Sequence, residues 1–311
     1  MTTLVPDTRA VGVSAAALWT GPDAVRRPLD EPALAVPADL RAWTARQGPP
    51  ERLELWGRVD SQLLYGERVR VEEVAGDWTR VIAPAQPSVK HPGGYPGWVP
   101  TRQLAAPAAE DGGGDGSAAG RRVVVHVPGT DLRATPGGPI LVPDVSFATT
   151  LPLLERVQGW VRVATPGPGD GWLPSTDVDE LPAEPELPTG EQLIAAASQF
   201  VGITYAAGGT CGLALDCSGL VHTAYRRYGV TVPRDAADQA GIGTPLDPAE
   251  AERGDLLFFA KPDTGRVYHV GICLGEDGLL HASERDWAVL DAPMTPERRA
   301  HLTFARRYRS A

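Results

Sequence analysis

Residues 215–221 read LDCSGLV and place a cysteine where a Gly-rich loop, residues 205–212, runs into a helix. Apolar residues at helical spacing predict an amphipathic helix from Cys217 to Tyr228, and Gly229 is a natural end for it. The positive end of a helix dipole favours negative charge, so we expect the pKa of the thiol to be lowered towards the reactive thiolate. The stretch therefore predicts a cysteine nucleophile at the start of a helix.

Two histidines follow the cysteine in short apolar runs that are typical of strands. His269 lies in YHVGICL, residues 268–274, and His281 lies in the next run, after a turn at residues 275–278. Adjacent strands lie about 4.8 Å apart, so two imidazoles at nearby register can share a hydrogen bond. A thiol that attacks an amide needs a base and a group that orients the base. We interpret His269 as the base and His281 as the orienting group.

Other interpretations of these residues remain open. Cys217, His269 and His281 could ligate zinc, although their spacing matches no compact zinc motif. Cys217 could also be structural, because a cysteine is usually a small buried apolar residue. A single histidine in a strand is likewise more often structural than catalytic. Cys211 and Cys273 have no helix start or histidine motif beside them, and we expect both to be buried and inert.

The rest of the C-terminal segment predicts helices followed by an antiparallel sheet. Residues 190–200, GEQLIAAASQF, have apolar residues at helical spacing. Strand-like runs follow at residues 255–259, 268–274, 279–282 and 302–308. This order of elements indicates an α+β domain.

The N-terminal part of the chain contains a repeat. Residues 65–84 (YGERVRVEEVAGDWTRVIAP) and 147–166 (FATTLPLLERVQGWVRVATP) share the pattern V-x-G-(D)-W-x-R-V-x-x-P, and a Gly-Trp-apolar-Pro unit follows each. Period-2 alternation with Gly-containing turns predicts antiparallel strands. Two small all-β barrels fit best, and the residues resemble bacterial SH3-like domains. Residues 39–58 exceed what one barrel needs, and we interpret them as a helical insertion.

Two composition breaks divide the chain. Residues 105–120, AAPAAEDGGGDGSAAG, lack apolar periodicity and predict a flexible linker. Residues 182–188, PAEPELP, predict a stiffer connector. We therefore place a first SH3-like domain with its insertion at 1–107, a linker at 108–121, a second SH3-like domain at 122–182 and the α+β domain at 183–311.

Composition argues against several classes of protein. The net charge of −10 gives no support to nucleic-acid binding. Three cysteines are too few for a disulfide scaffold, and no apolar run approaches the ~18 residues of a membrane span. The stretch from Ala10 to Trp19 is only weakly apolar and follows Asp7 and Arg9, which does not fit a signal peptide. We therefore expect a cytoplasmic protein.

The C-terminal segment resembles NlpC-type, papain-like cysteine peptidases throughout its length. Six blocks occur in the family's order. They are residues 205–209 (YAAGG), 215–221 (LDCSGLV), 232–235 (VPRD) with Gln239, 253–259 (RGDLLFF), 269–272 (HVGI) and 280–282 (LHA). The resemblance implies a papain-like α+β fold in which Cys217 is the nucleophile, His269 the base and His281 the third polar member.

The same resemblance assigns roles to four further residues. Tyr205 matches a tyrosine near the nucleophile that helps to form the oxyanion site. Asp216, Ser218 and Asp235 match substrate-facing positions.

The arrangement of two SH3-like domains ahead of an NlpC-type domain resembles the γ-D-glutamyl-L-diamino acid endopeptidases of murein-peptide recycling. In that subgroup the first SH3-like domain closes one end of the groove, so that only peptides with a free N-terminal L-Ala fit. Residues 94–98 (GYPGW) and 62–67 look like the subgroup's first domain. Glu67 is accordingly the candidate carboxylate for the amine, and Tyr95 the candidate tyrosine over the alanine.

The predicted reaction is hydrolysis of the γ-D-Glu–diamino acid bond of L-Ala-γ-D-Glu-diamino acid peptides, through a thioester at Cys217. The diamino acid is diaminopimelate or lysine. Thiolate, imidazole and oxyanion donors complete this chemistry, so no metal or organic cofactor is expected. A broader hydrolase of the intact wall and a non-catalytic SH3-like wall-binding module are the alternatives.

Overall fold

The computed structural model describes residues 7–108 and 120–310, which form three successive units with one sheet each. The first unit has a seven-stranded antiparallel sheet in the order β3-β2-β6-β5-β4-β1-β7. Its strands are β1 (Thr8–Val11), β2 (Ala15–Trp19), β3 (Val59–Leu64), β4 (Arg68–Ala75), β5 (Trp78–Ala83), β6 (Tyr95–Pro100) and β7 (Leu104–Ala105). Between β2 and β3 lie three short helices, α1 (Glu31–Leu34), α2 (Leu40–Ala45) and α3 (Pro49–Leu53). The last two lie within the predicted insertion.

The second unit repeats the topology of the first. Its sheet order, β10-β9-β13-β12-β11-β8-β14, is the first order with every strand replaced by its equivalent. The strands are β8 (Arg122–Val125), β9 (Gly129–Arg133), β10 (Ile140–Ser146), β11 (Thr150–Val157), β12 (Trp160–Thr165), β13 (Gly169–Pro174) and β14 (Val178–Leu181). The sequence repeat falls on β4–β5 and on β11–β12, so the two copies occupy equivalent positions in the two sheets.

The third unit combines four helices with a nine-stranded sheet in the order β16-β17-β15-β22-β21-β20-β19-β23-β18. The helices are α4 (Gly190–Ser198), α5 (Cys217–Arg226), α6 (Ala236–Gln239) and α7 (Pro296–Ala300). The strands are β15 (Thr204–Tyr205), β16 (Thr210–Cys211), β17 (Ala214–Leu215), β18 (Thr244–Leu246), β19 (Leu256–Ala260), β20 (Val267–Cys273), β21 (Gly278–Ser283), β22 (Ala288–Pro293) and β23 (Leu302–Arg307). Two small SH3-like β units followed by an α+β domain confirm the predicted fold class.

One apolar cluster crosses the boundaries between the units. Trp19 and Trp43 of the first unit, Phe147 of the second and Phe200 of the third are all buried in it. The rings of Phe147 and Phe200 meet edge-on, with centroids 5.0 Å apart. Burial of large aromatic side chains across these boundaries sets how the first unit sits against the third.

The sequence predicts a linker at residues 108–121 and no membrane span. Most of the predicted linker at 108–121 lies outside the described residues. Within residues 7–108 and 120–310, no helix is long and apolar enough to cross a membrane.

Candidate active site

The helix α5 begins at Cys217, and Asp216 caps it. Oδ1 of Asp216 accepts a hydrogen bond from the backbone N–H of Gly219 at 2.7 Å, and Oδ2 accepts one from Gly208 at 2.8 Å. A Cβ on Gly219 would lie 1.9 Å from the carbonyl oxygen of Gly209, so glycine is needed where the loop crosses the first turn. Loop and cap together place the cysteine at the start of the helix, as predicted.

The thiol is not activated in the way that the helix position predicts. Cys217 is 7% exposed, and burial, followed by the charges of Asp216 and Glu284, raises the pKa of its thiol to about 12. Hydrogen bonding from the backbone at Val270 and Ser218 offsets this only in part. A helix terminus typically contributes about 0.3–1 kcal/mol, and burial outweighs it here. The predicted lowering of the pKa is therefore wrong for the substrate-free protein, in which the sulfur is protonated.

The two histidines lie on the neighbouring antiparallel strands β20 and β21. Nε2 of His269 and Nδ1 of His281 are 2.8 Å apart, which confirms the predicted hydrogen bond between the rings. Burial lowers the pKa of His269, and burial together with neighbouring positive charge lowers the pKa of His281 to about 3. Both rings are therefore neutral at neutral pH, and His269 is able to accept a proton.

Glu284, which was not predicted from the sequence, completes the histidine pair. Its Oε2 lies 3.2 Å from Nδ1 of His269, and Arg298 lies 3.2 Å from its Oε1. Burial opposes ionisation of Glu284, but His269 and Arg298 lower its pKa to about 2. Glu284 and His281 both line a cavity of about 500 Å³. The position three residues after His281 is the only signal that the sequence offers for Glu284.

Tyr205 lies beside the thiol, as the resemblance implies. It belongs to β15, is buried, and packs edge-on against Trp287 with ring centroids 6.0 Å apart. Burial raises the pKa of its hydroxyl most, and a thiolate at Cys217 and the carboxylate of Asp216 act in the same direction. The hydroxyl is therefore a neutral hydrogen-bond donor, which suits an oxyanion developing next to the sulfur.

Asp216 and Ser218 belong to a closed polar network. Arg234 is buried and donates to the two carboxylate oxygens of Asp216 at 3.0 and 2.6 Å, and to Oγ of Ser218 at 2.9 Å. Arg234 also donates to Ser61 of the first unit at 2.9 Å, and Ser61 bonds to Gln86 at 2.5 Å. These bonds join the nucleophile turn to the first SH3-like unit. Substrate contact by Asp216 and Ser218 stays a prediction. The hydrogen bonds to Arg234 hold the turn in place.

Glu67 lies in another part of this network, and the structure does not bring it to Tyr95. Its Oε2 accepts hydrogen bonds from Arg226 at 2.6 Å and from the backbone of Leu64 at 3.1 Å. Its Oε1 accepts one from Gln86 at 3.0 Å. These partners make Glu67 a buried ion pair between the first unit and α5, because a carboxylate in this setting needs a cation and donors. Its assignment as the carboxylate that reads an amine is corrected accordingly.

Tyr95 faces two other carboxylates. Its hydroxyl lies 3.1 and 3.0 Å from the carboxylate oxygens of Asp235, the residue that precedes α6. Burial, followed by the charges of Asp235 and Asp60, raises the pKa of Tyr95. Nζ of Lys90 lies 3.1 Å from Oδ2 of Asp60 and 2.6 Å from the Tyr95 hydroxyl. The structure thus brings Tyr95 to Asp235 rather than to Glu67, and places Asp60 and Lys90 beside them; none of these contacts was predicted from the sequence.

The remaining donor groups give no further site. Cys211 and Cys273 are buried free thiols, as predicted. Across the described ranges, no group of three or more His, Cys, Asp or Glu side chains is arranged to hold a metal ion.

Comparison with known proteins decides the family. The model described as NlpC/P60 family matches residues 202–307, and the model described as YKFC SH3b2 domain matches residues 125–180. A gamma-D-glutamyl-L-lysine dipeptidyl-peptidase of Bacillus cereus is 34% identical over 309 residues, which cover 96% of this chain and 90% of that protein. The chain belongs to the NlpC/P60 family.

Two further NlpC/P60 relatives support this assignment. A gamma-D-glutamyl-L-lysine dipeptidyl-peptidase of Bacillus subtilis is 36% identical over 270 residues, which cover 85% of this chain and 86% of that protein. The crystal structure of an NlpC/P60 family protein from Bacillus cereus matches with a TM-score of 0.89 and 33% identity, covering 98% of this chain and all of that chain. As a member of this family the chain is a cysteine peptidase, and therefore a hydrolase.

The NlpC/P60 site is able to transfer an acyl group from an amide to water. In this arrangement Sγ of Cys217 would attack the scissile carbonyl carbon while His269 takes the thiol proton. The Tyr205 hydroxyl and the backbone N–H of Cys217 are the donors that the oxyanion would meet. Collapse of this intermediate would expel the amine, which takes the proton from His269, and leave a thioester. Water, deprotonated by His269, would then hydrolyse the thioester and regenerate the thiol.

Proposed function

We propose that this NlpC/P60 peptidase cleaves the γ-D-Glu–diamino acid bond of cell-wall peptides that carry a free N-terminal L-Ala, and so serves murein-peptide recycling. The diamino acid is lysine or diaminopimelate. The two relatives from Bacillus carry the name gamma-D-glutamyl-L-lysine dipeptidyl-peptidase, and they align with 96% and 85% of this chain. Similarity over both SH3-like units matters here, because the proposed specificity depends on the first of them.

The observation that carries the proposal is a loop of the first unit that crosses to the peptidase domain. This loop, residues 84–94, joins β5 to β6. The carbonyl oxygen of Pro87 accepts a hydrogen bond from the backbone N–H of Arg234 at 3.0 Å, and the backbone N–H of Val89 donates to Asp238 at 3.0 Å. The loop is thus fixed to Arg234, just before α6, and to Asp238 within α6. This supports a groove that is closed on this side.

The groups at this closed side, which we call the amine corner, are Asp60, Lys90, Tyr95 and Asp235. Two carboxylates supply negative charge, and the Tyr95 ring offers an aromatic face. Nζ of Lys90 lies 4.5 Å from the centroid of that ring, so a cation already rests in the corner. An acylated peptide, such as a stem still attached to glycan, has no positive charge to offer the two carboxylates, so it gains none of the ion pairing that a free amine would gain there. The corner therefore supports specificity for released peptides with a free amine.

The test compares two matched substrates, L-Ala-γ-D-Glu-diaminopimelate and the same peptide with its N-terminus acetylated. We expect the wild type to cleave the free peptide and to leave the acetylated one largely intact. Cys217→Ala provides the control for contaminating activity and should cleave neither. Equal cleavage of both peptides, or release of peptides from intact sacculi, would favour the broader wall hydrolase.

A further inference from the structure

Lys90 fills the place that the proposed function gives to the substrate ammonium. Its Nζ lies 2.6 Å from the hydroxyl of Tyr95 and 3.1 Å from Oδ2 of Asp60. The same hydroxyl contacts both carboxylate oxygens of Asp235 at 3.1 and 3.0 Å. The groups that would recognise a ligand ammonium are thus already gathered around an ammonium of the protein.

The side chain of Lys90 is exposed enough to rotate out of the amine corner, whereas hydrogen bonds fix the backbone on either side of it. The side chain is 40% exposed, and that of its partner Asp60 is 24% exposed. On one side, the backbone N–H of Val89 is bonded to Asp238 at 3.0 Å. On the other, the carbonyl oxygen of His91 accepts a hydrogen bond from the backbone N–H of Gly94 at 3.2 Å. Rotation of the lysine side chain is therefore sufficient to clear the corner.

We propose that Lys90 is a specificity-determining residue of this peptidase. Its ammonium occupies the amine corner in the substrate-free protein, and the N-terminal ammonium of the substrate displaces it. The inference rests on the proposed function. Exchange of one cation for another keeps a positive charge paired with Asp60 and close to Asp235, which Lys90 reaches through the Tyr95 hydroxyl. A ligand without a cation cannot make this exchange, and it meets a corner that Lys90 still occupies. The correct ligand also binds less tightly than the bare corner would allow, because it must displace Lys90.

Arg234, the buried cation nearest to the amine corner, is not able to exchange with a ligand ammonium. Arg234 lies next to Asp235 in the chain, but its guanidinium is bonded to Asp216, Ser218 and Ser61. It has no freedom to exchange with a ligand. Of the cationic side chains described at this corner, Lys90 is the one that both contacts the carboxylate of Asp60 and is partly exposed.

The first experiment measures binding of the diamide of L-Ala-γ-D-Glu, whose single charge is its ammonium. With this probe, loss of a positive side chain cannot weaken binding through ligand carboxylates. We expect Lys90→Met to lower the Kd roughly fivefold, the size that one partly exposed ion contact supports. Lys261→Met is the matched control, because Lys90 and Lys261 are the two lysines of the chain and Lys261 follows β19 in an exposed turn. A higher or unchanged Kd in Lys90→Met would overturn the proposal.

The second experiment reads the displacement itself, in the wild type. Limited acetylation followed by mass spectrometry gives the ratio of modified Lys90 to modified Lys261, and Lys261 corrects for reagent consumed by the ligand. Saturation with the L-Ala-γ-D-Glu diamide should raise this ratio, since the displaced Lys90 moves into solvent. A ratio that falls would mean that Lys90 binds the ligand, and a ratio that stays constant would mean that the two never exchange; either result overturns the proposal.

Failure of this inference and failure of the proposed function give different results. If the wild type binds the diamide no better than its N-acetyl form, the free-amine specificity is wrong. If the wild type prefers the free amine but the two Lys90 experiments fail, the specificity stands and Lys90 does not determine it.

Discussion

Oε2 of Glu284 lies 3.2 Å from Nδ1 of His269, the ring nitrogen that the hydrogen bond to His281 leaves free. An ionised carboxylate only accepts hydrogen bonds, so this contact favours a proton on Nδ1 in the substrate-free protein. We expect the thiol proton of Cys217 to move to the same nitrogen, because the other ring nitrogen is bonded to His281. On that assignment Glu284 competes with the thiol at rest, and it stabilises the positive charge on His269 once the proton has been transferred.

Replacement of Glu284 by Gln should change the pH dependence of catalysis. Burial lowers the pKa of His269, and Glu284 acts in the opposite direction. Without that charge the pKa falls further, so the acidic limb of kcat/KM should move to lower pH, because His269 stays an unprotonated base there. We also expect kcat to fall roughly tenfold, a fraction of what general acid–base catalysis contributes. The measurement is a pH–rate profile of both enzymes.

Glu297→Gln is the control for this change, because Glu297 lines the same cavity but pairs with the exposed Arg285. Its profile should match that of the wild type. A limb that moves to higher pH in Glu284→Gln would show that the carboxylate does not support the protonated form of His269.

The raised thiol pKa makes a prediction for alkylation of the substrate-free enzyme. Because the pKa of Cys217 is about 12, the thiolate fraction should keep rising with pH. The rate of modification by iodoacetamide should therefore climb through pH 9 without a plateau, as followed by intact-mass spectrometry. Cys217→Ala reports any background from the buried Cys211 and Cys273. A plateau near neutral pH would instead indicate a resting thiolate–imidazolium pair.

Tyr95→Phe tests the amine corner without removing a charge. The change deletes the hydroxyl that contacts Asp235 and Lys90 and keeps the ring. Loss of such a hydrogen bond costs about 0.5–1.5 kcal/mol, so KM for the free peptide should rise roughly 3- to 10-fold with little change in kcat. Tyr228→Phe, whose hydroxyl bonds to the backbone of Gln192, should leave both constants unchanged. A fall in kcat at constant KM would place Tyr95 in the chemical step.

Arg234→Met should destabilise the fold, because it leaves the carboxylate of Asp216 without its buried counter-charge. Removing one partner of a buried pair costs about 3–5 kcal/mol, which thermal or urea unfolding resolves. Arg253→Met is the control, because its pair with Glu191 is exposed and screened by solvent, so its loss should change the free energy of unfolding little. The double variant Arg234→Met with Asp216→Asn should recover part of the loss. Similar effects of the two arginine changes would argue against a structural role for the buried pair.

Local sequence patterns were enough to predict the helix and strands that carry Cys217, His269 and His281. The helix predicted over 217–228 is α5, and the runs at 268–274 and 279–282 are β20 and β21. Helical spacing and strand alternation are short-range features, so they place Cys217, His269 and His281 without any knowledge of packing. The repeat at 65–84 and 147–166 likewise predicted two equivalent β units, because each copy carries its own turn and strand pattern.

Charge and burial depend on distant parts of the chain, and only the tertiary structure decided them. Glu67 and Asp60 are both carboxylates of the first unit, yet Glu67 pairs with Arg226 on α5 while Asp60 turns towards Tyr95 and Lys90. No local pattern distinguishes the two, since their partners come from elsewhere in the chain. Residue types and spacings thus determined which groups could react. Packing decided which of them meet and in which protonation state, because desolvation and ion pairing arise only once the units are assembled.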